Sequence, residues 1–426
     1  MEKCRIFWAM SEKRRKIYLL SPAGGHEALA AALANGADAV YFGVGDLNMR
    51  SHATVNFQQE ELPELAAKCQ AAGAEAWLTV NVIVYDTELQ RVEALLQAAK
   101  AAGIDAIIAS DPAVIRLAHD LGLPVHLSVQ ANVSNWQTVA FYAPYVDVVV
   151  AARELTCERL AELTQNIAEH DLRGPSGELI RVEAFVHGAL CIGLSGRCGM
   201  SLCEYPQTSS NRGSCYQPCR RAYLVKDAET GHEFQIQNQY IMSPKDLCTI
   251  AQLPKLLEAG VTVLKIEGRG RSADYVATTT RVYREALEAW QKGETPSPEQ
   301  VADWRQQLLG VFNRRFWEGG YYLGEQADIW AGTRDNQSTI RKEFLGVVTH
   351  YYPRPQVAEV LLQSGNLRVG QRVLITGPTT GAVEFEVPSM QVLEKPAEFA
   401  GPGADVCFPL ATKVRPNDKV FALKSR

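Results

Sequence analysis

The sequence predicts a (β/α)8 barrel of the TIM type with a cysteine-rich insertion after the seventh strand. A small all-β barrel domain is predicted to follow at the C-terminus. Short apolar runs alternate with alanine- and leucine-rich segments from Lys16 to Lys292. They form eight strand–helix units, which is the number that a (β/α)8 barrel contains. More than seventy residues separate the seventh and eighth predicted strands, against about twenty elsewhere. Beyond residue 340 the pattern changes to short alternating strands. The predicted parts are an N-terminal extension (1–15), the barrel (16–292) with its insertion (188–243), a helical and aromatic connector (293–340) and the small β-barrel (341–426).

The predicted barrel strands are continuous apolar runs, as expected for a parallel sheet covered by helices. Glycines such as Gly36 and Gly73 end several of the helices between them. A doubly wound open sheet is the alternative, but SPAGGHEA follows the first strand where a nucleotide-binding sheet would carry G-x-G-x-x-G. The barrel is therefore favoured. Its predicted strands are Ile17–Ser21, Ala39–Val44, Ala76–Val82, Ala106–Ala109, Val125–Val129, Val146–Ala151, Val182–Val186 and Val261–Ile266.

Composition excludes several classes of protein. The chain has 426 residues, 46% of them apolar, and a net charge of −5, so it is an ordinary globular protein without a general attraction for nucleic acid. No apolar run approaches the length needed to cross a bilayer. The apolar part of the N-terminus, Ile6 to Met10, is too short for a secretory signal. We therefore expect a cytoplasmic protein without a membrane partner.

The ten cysteines are unevenly distributed, and five of them fall between residues 191 and 219. Such clustering in a cytosolic chain indicates metal or redox chemistry. Paired C-x-x-C knuckles are missing, which weakens a zinc site, whereas an iron–sulfur cluster accepts thiolates from irregular glycine-rich loops. Zinc and inert thiols remain alternatives. The candidate ligands are Cys191, Cys198, Cys215 and Cys248, the last placed on a helix that Ser243 and Pro244 would begin, and Cys203 and Cys219 are expected to be spare.

Further candidates lie at the predicted C-terminal ends of the strands, where barrel active sites form. His187 is a candidate ligand or proton donor. Glu183 is expected to point into the barrel by alternation with Phe185, and Lys265 on the neighbouring strand is its expected partner. Basic residues around the cysteines would bind a carboxylate or phosphate, although they could equally be solvated surface arginines; the candidates are Arg197, Arg220, Arg221 and Arg269.

The stretches EAFVHGALC (183–191) and SGRCGMS (195–201) resemble the signature of the U32 peptidase family. The resemblance extends over about residues 16 to 325, through segments such as LTVNVIVYD, CYQPCRRAY and LKIEGRGRSADYV. It implies a role in oxygen-independent hydroxylation, since branches of the family modify tRNA wobble uridine, an rRNA cytidine or the ubiquinone ring. It also implies a 4Fe–4S cluster, with Cys191, Cys198 and Cys215 at the first three ligand positions and Cys248 near the fourth. The RNA branches are thought to depend on prephenate, a dicarboxylate.

The C-terminal part favours the tRNA branch, whose appended domain the predicted small barrel resembles. We therefore expect an iron–sulfur enzyme that forms 5-hydroxyuridine in tRNA. A peptidase is the alternative from another class, although no Ser–His–Asp order or HExxH helix is readable in the sequence. An rRNA or quinone hydroxylation protein and an RNA-binding protein with structural zinc remain further alternatives.

Overall fold

The computed structural model describes residues 16–52, 54–194, 197–234, 240–317 and 329–426. The predicted N-terminal extension lies outside the described residues, and so do parts of the predicted insertion and of the helical and aromatic connector.

A closed barrel of eight parallel strands forms the larger part of the molecule. The strands pair in the order β11-β1-β2-β3-β4-β5-β6-β7, and β11 also pairs with β7, which closes the ring. The predicted barrel is therefore confirmed. Its strands are β1 (Tyr18–Pro22), β2 (Ala39–Gly43), β3 (Glu75–Val80), β4 (Ala106–Ala109), β5 (Val125–Leu127), β6 (Val148–Val150), β7 (Arg181–Ala189) and β11 (Val263–Ile266).

Helices alternate with these strands and cover the outside of the barrel. One face of each strand packs against them in the main hydrophobic core, while side chains such as Tyr41, Trp77 and Ile108 fill the interior. Because both faces are buried, the strands are apolar throughout. The helices are α1 (His26–Ala34), α2 (Leu62–Ala71), α3 (Leu89–Ala101), α4 (Pro112–Asp120), α5 (Trp136–Tyr142), α6 (Cys157–Glu169), α8 (Leu253–Glu258), α9 (Ala273–Gln291) and α10 (Pro298–Leu309).

The insertion between β7 and β11 is built from short elements. It contains the helix α7 (Met200–Glu204) and an antiparallel hairpin of β8 (Val225–Lys226) and β9 (Glu233–Phe234). A third strand, β10 (Asp246–Cys248), pairs antiparallel with the end of β7, and β12 (Phe316–Trp317) pairs with β10. The prediction of a helix that begins at Ser243 is wrong, because the chain forms the extended strand β10 there.

The C-terminal domain is all β, as predicted. Eight strands form an antiparallel sheet in the order β17-β16-β22-β13-β14-β21-β18-β19 around a hydrophobic core of its own. The domain packs through β17 against α1 and α9 of the barrel. Its strands are β13 (Ile340–Tyr352), β14 (Val357–Leu362), β15 (Leu367–Arg368), β16 (Arg372–Gly377), β17 (Gly381–Glu386), β18 (Met390–Val392), β19 (Lys395–Ala397), β20 (Phe399–Ala400), β21 (Asp405–Pro409) and β22 (Lys419–Ser425). None of the described helices is long and apolar enough to span a membrane.

Candidate functional site

A cavity opens at the C-terminal ends of the barrel strands, beneath the cysteine-rich insertion. Its volume is about 110 Å³, and it is lined by side chains from the ends of several strands and from the insertion itself. Thr79 and Asn81 come from the end of β3, Gln130 follows β5, and Glu267 follows β11. Parallel barrels place their active sites at this face, because the loops there converge from every strand. We therefore take this cavity as the candidate active site.

Four cysteine thiols line the cavity: Cys191, Cys198, Cys215 and Cys219. Cys191 follows the end of β7, and Cys198 lies just before α7, where the Met200 backbone N–H donates a hydrogen bond of 3.4 Å to its sulfur. The other two flank the short segment 216–218. Burial raises the pKa of Cys219 to about 11, and nearby Cys191 and Cys215 add to the rise. Four thiols from separate parts of the insertion thus face one cavity.

Cys248 does not belong to this group. It lies opposite His187 in the pairing of β10 with β7 and is 1% exposed in the hydrophobic core. The reason is that β7 continues beyond its last pairing with β6 at Glu183, and the hydrogen-bonding groups on that edge at its end pair with β10. Ser243 and Pro244 favour the start of a helix, but the pairing of β10 with β7 keeps the segment after them extended. Cys219 takes the place in the cavity that we expected for Cys248, whereas Cys203 is exposed as expected of a spare residue.

Four cationic side chains also line the cavity: Arg50, Arg153, Lys265 and Arg269. Arg269 was predicted from the sequence as an anion-binding residue, and its guanidinium donates hydrogen bonds to Asn48 (3.0 Å) and Thr79 (2.9 Å). Gly43 makes room for it, since a Cβ there would lie 2.6 Å from the Arg269 guanidinium. Burial lowers the pKa of Arg269 to about 10, which leaves it charged at neutral pH.

Arg50 and Arg153 were not selected from the sequence. Arg50 lies in the loop after β2, seven residues beyond the strand, and Arg153 follows β6; their position at the C-terminal ends of strands is the signal that could have identified them. Arg50 forms an ion pair of 2.8 Å with Glu267. Burial opposes ionisation of Glu267, but Arg50, Arg153 and Arg269 outweigh it and lower the pKa of this carboxyl to about 2. Glu267 is the one carboxylate among the described residues that line the cavity.

The other predicted arginines lie elsewhere. Arg220 is buried and donates hydrogen bonds to the Leu190 carbonyl (2.7 Å) and the Ser243 hydroxyl (3.0 Å), so it fastens the insertion to the segment before β10. Arg221 forms an exposed ion pair with Glu204. Arg197 is exposed and does not line the cavity. The prediction that these three arginines bind a ligand at the cavity is therefore wrong, because Arg197 and Arg221 lie outside it and Arg220 is used in the packing of the insertion.

The predicted pair of Glu183 and Lys265 is confirmed. The Lys265 ammonium lies 2.6 Å from Glu183 Oε1, and the two side chains are 7% and 0% exposed. Lys265 lines the cavity, and its ammonium also lies over the rings of Tyr41 (4.6 Å) and Phe185 (5.5 Å). Burial raises the pKa of Glu183, and Lys265 acts against that rise. Glu183 Oε2 has no hydrogen-bond partner among the described residues.

His187 lies outside the cavity. The pairing of β7 with β11 is irregular between Lys265 and Ile266, where Val186 is passed over, so the alternation of side chains breaks at this point. Phe185 faces the cavity, whereas the His187 ring packs 5.6 Å from that of Tyr283 on α9. Burial lowers the pKa of His187 to about 3, and Arg271 contributes to the fall, so its imidazole is neutral at pH 7. The prediction that His187 donates a proton at the cavity therefore does not agree with its position.

The thiols of the cavity are its candidate ligands for a metal cofactor. Among the described residues, no group of three or more His, Cys, Asp or Glu side chains is arranged to hold one metal ion. The four cysteines that line the cavity carry the type of ligand that iron–sulfur clusters take, a thiolate. The guanidinium of Arg50 also interacts electrostatically with Cys215 and Cys191.

Comparisons with known proteins agree with the motifs. The sequence model of peptidase family U32 matches residues 24–332. A protein of Porphyromonas gingivalis named collagenase is 43% identical over 408 residues, which cover 96% of this chain and 98% of that protein. A protein of Bacillus subtilis named tRNA hydroxylation protein P1 is 34% identical, over 85% of this chain and 84% of its own. The Escherichia coli tRNA hydroxylation protein P is 31% identical, over 90% and 91%.

Proposed function

This chain belongs to peptidase family U32, and on that premise we propose that it is an enzyme of oxygen-independent tRNA hydroxylation that forms 5-hydroxyuridine at the wobble position. Two relatives named for tRNA hydroxylation match it over most of both chains. The observation that carries the proposal is the cavity itself, in which four thiols face four cationic side chains at the C-terminal end of the barrel.

The proposed cofactor is a 4Fe–4S cluster held by Cys191, Cys198, Cys215 and Cys219, all of which line the cavity. Such a cluster, when bound, supplies one-electron redox chemistry. The protein contributes the thiolates and the nearby positive charge of Arg50, which favours a negatively charged group at the sulfurs. Cys248 has no part in this proposal, because it lies in the core.

The cationic side chains would bind a carboxylate cosubstrate. Among the described residues, four cations and one carboxylate line the cavity, and Glu267 is already paired with Arg50. Arg153 and Arg269 project planar guanidinium groups, which match a carboxylate better than an ammonium does. Prephenate, with two carboxylates, is the proposed cosubstrate. Lys265, fixed by Glu183, would add charge in the barrel interior at the inner end of the same cavity.

Amide side chains would position the base. Asn81 Nδ2 lies 3.4 Å from Gln130 Oε1, and both side chains line the cavity. Enzymes that modify a base take it out of the stack and recognise it through hydrogen bonds to its edge. Asn and Gln amides carry both a donor and an acceptor, so they match the alternating donors and acceptors of uracil.

A peptidase is the second candidate, because the relative at 43% identity is named collagenase. Peptide hydrolysis needs a nucleophile with an adjacent base, or an activated water. No histidine is among the described residues that line the cavity, and the pKa of Glu267 is lowered to about 2, so this carboxylate is a poor base at neutral pH. This lining supports the hydroxylation proposal over hydrolysis.

Mass spectrometry of tRNA nucleosides from a strain that lacks the gene, with and without the wild-type chain, tests the proposal. We expect 5-hydroxyuridine to disappear and to return with the chain, and protein purified without oxygen to contain iron and sulfide. Unchanged wobble uridine alongside altered rRNA cytidine or quinone would move the protein to another substrate. Cleavage of gelatin by purified protein, lost when Arg269 is replaced, would support the peptidase instead.

A further inference from the structure

Four aromatic side chains lie on the segments that border the cavity, and the proposed chemistry does not use them. We call this set the aromatic rim and define it as His52, Tyr85, Tyr205 and Tyr216. Each lies within a few residues of a side chain that lines the cavity: Tyr216 follows Cys215, and His52 comes two residues after Arg50. Tyr85 and Tyr216 are 56% and 47% exposed, so these rings are not part of the hydrophobic core.

Three of the four rings lie close to one another. The ring centroids of Tyr205 and Tyr216 are 4.9 Å apart, and those of His52 and Tyr216 are 5.9 Å apart. These contacts join the loop after β2, which carries His52, to the insertion, which carries Tyr205 and Tyr216.

Arginines lie over two of these rings. The Arg212 guanidinium lies 4.6 Å from the centroid of Tyr85, and that of Arg221 lies 5.4 Å from Tyr205. Arg212 is held by Glu88 and Arg221 by Glu204, which fix the two guanidinium groups beside the rings. Flat rings with arginines alongside them are typical of surfaces that bind single-stranded nucleic acid, where bases stack on the rings and arginines contact the backbone.

We propose that the aromatic rim binds the unpaired RNA bases that flank the reacting nucleotide by stacking on Tyr85 and Tyr216. The inference rests on the proposed function and adds to it the surface that receives the RNA. A duplex does not fit such a rim, because its bases are already stacked on one another, whereas a loop can splay its bases over the rings and insert one into the cavity. The ligand class is therefore a single-stranded RNA loop.

Binding of a fluorescein-labelled anticodon stem-loop with uridine at the wobble position, followed by fluorescence anisotropy, tests the inference with the full chain. Tyr216→Ala and Tyr85→Ala should each weaken binding about 5- to 140-fold, the range expected for loss of one base–aromatic stack. Tyr216→Phe keeps the ring and should bind as the wild type does. Phe141→Ala is the matched control, since Phe141 is 72% exposed on α5, whose end leads to the opposite end of the barrel.

A second measurement separates stacking from charge. Because stacking releases no counterions, the slope of log affinity against log salt should stay unchanged in Tyr216→Ala. Tyrosine variants that bind the stem-loop as the wild type does would overturn the inference, and so would a wild type that prefers a duplex of the same sequence or binds no RNA. The proposed function is judged separately, from 5-hydroxyuridine in the complemented strain, so stacking can fail while hydroxylation stands.

Discussion

The buried pair of Glu183 and Lys265 allows a prediction whose size follows from the structure. Glu183→Gln keeps the shape of the side chain but leaves the Lys265 ammonium, 7% exposed, without its carboxylate. Releasing the proton of a lysine at pH 7 costs about 5 kcal/mol, because its ordinary pKa is near 10.4 and each unit corresponds to about 1.4 kcal/mol. This cost is an upper limit on the loss. Since Lys265 lines the cavity, we expect the free energy of unfolding to fall by about 3–4 kcal/mol.

Replacing the other member of the pair should lower the free energy of unfolding by a smaller amount. Lys265→Met leaves the carboxyl of Glu183, which can take up a proton for at most about 4 kcal/mol at pH 7. We expect a loss of about 2–3 kcal/mol for this variant. A carboxyl whose pKa is raised in the folded state takes up a proton on folding, so this deficit should shrink as the pH falls from 7 towards 5. The double variant should recover most of the loss, because neither charge is then left alone.

Urea unfolding followed by circular dichroism and tryptophan fluorescence measures these differences. Glu162→Gln is the control, since Glu162 is 59% exposed in its ion pair with Arg159 and its loss should change stability by less than about 1 kcal/mol. If Glu183→Gln were as stable as the wild type, or if the two single effects simply added in the double variant, the buried pair would not have the energetic role assigned to it.

Three further predictions concern the cluster, the cavity charges and the domain contact. Cys219→Ala should abolish iron and sulfide binding in anaerobically purified protein, whereas Cys248→Ala should keep the wild-type iron content; the opposite result would return Cys248 to the ligand set. Glu267, with a pKa lowered to about 2 chiefly by Arg50 against the effect of burial, stabilises the fold above about pH 4.5 and loses this contribution as the pH falls towards 2. The free energy of unfolding of Glu267→Gln should therefore fall less than that of the wild type as the pH is lowered, by up to about 3 kcal/mol. Acid unfolding measures this difference, and an equal pH dependence of the two proteins would contradict the role of Glu267. Gly381→Ala should destabilise the domain contact by about 2–4 kcal/mol, seen as faster proteolytic separation of the domains, because Gly381 has φ +72° and an added Cβ would lie 2.7 Å from the Ala31 nitrogen.

The sequence determined the architecture because its signals are local. Apolar runs bounded by glycines marked the strands and helices of the barrel, and shorter alternating runs marked the C-terminal sheet, since each pattern reflects which faces of one element are buried. The partner of Glu183 could also be predicted. A buried carboxylate needs a cation nearby, and Lys265 lies on the strand that must close the barrel beside β7.

The membership of the site was decided by tertiary structure. Whether Cys219 or Cys248 faces the cavity depends on how β10 satisfies the open edge of β7, and the position of His187 depends on one irregular step in the pairing with β11. Arg50 reaches the cavity from a loop that carries no motif. Spacing along the chain determines which residues can be close, but the hydrogen bonds between distant strands determine which of them meet, and those energies have no signature in the local sequence.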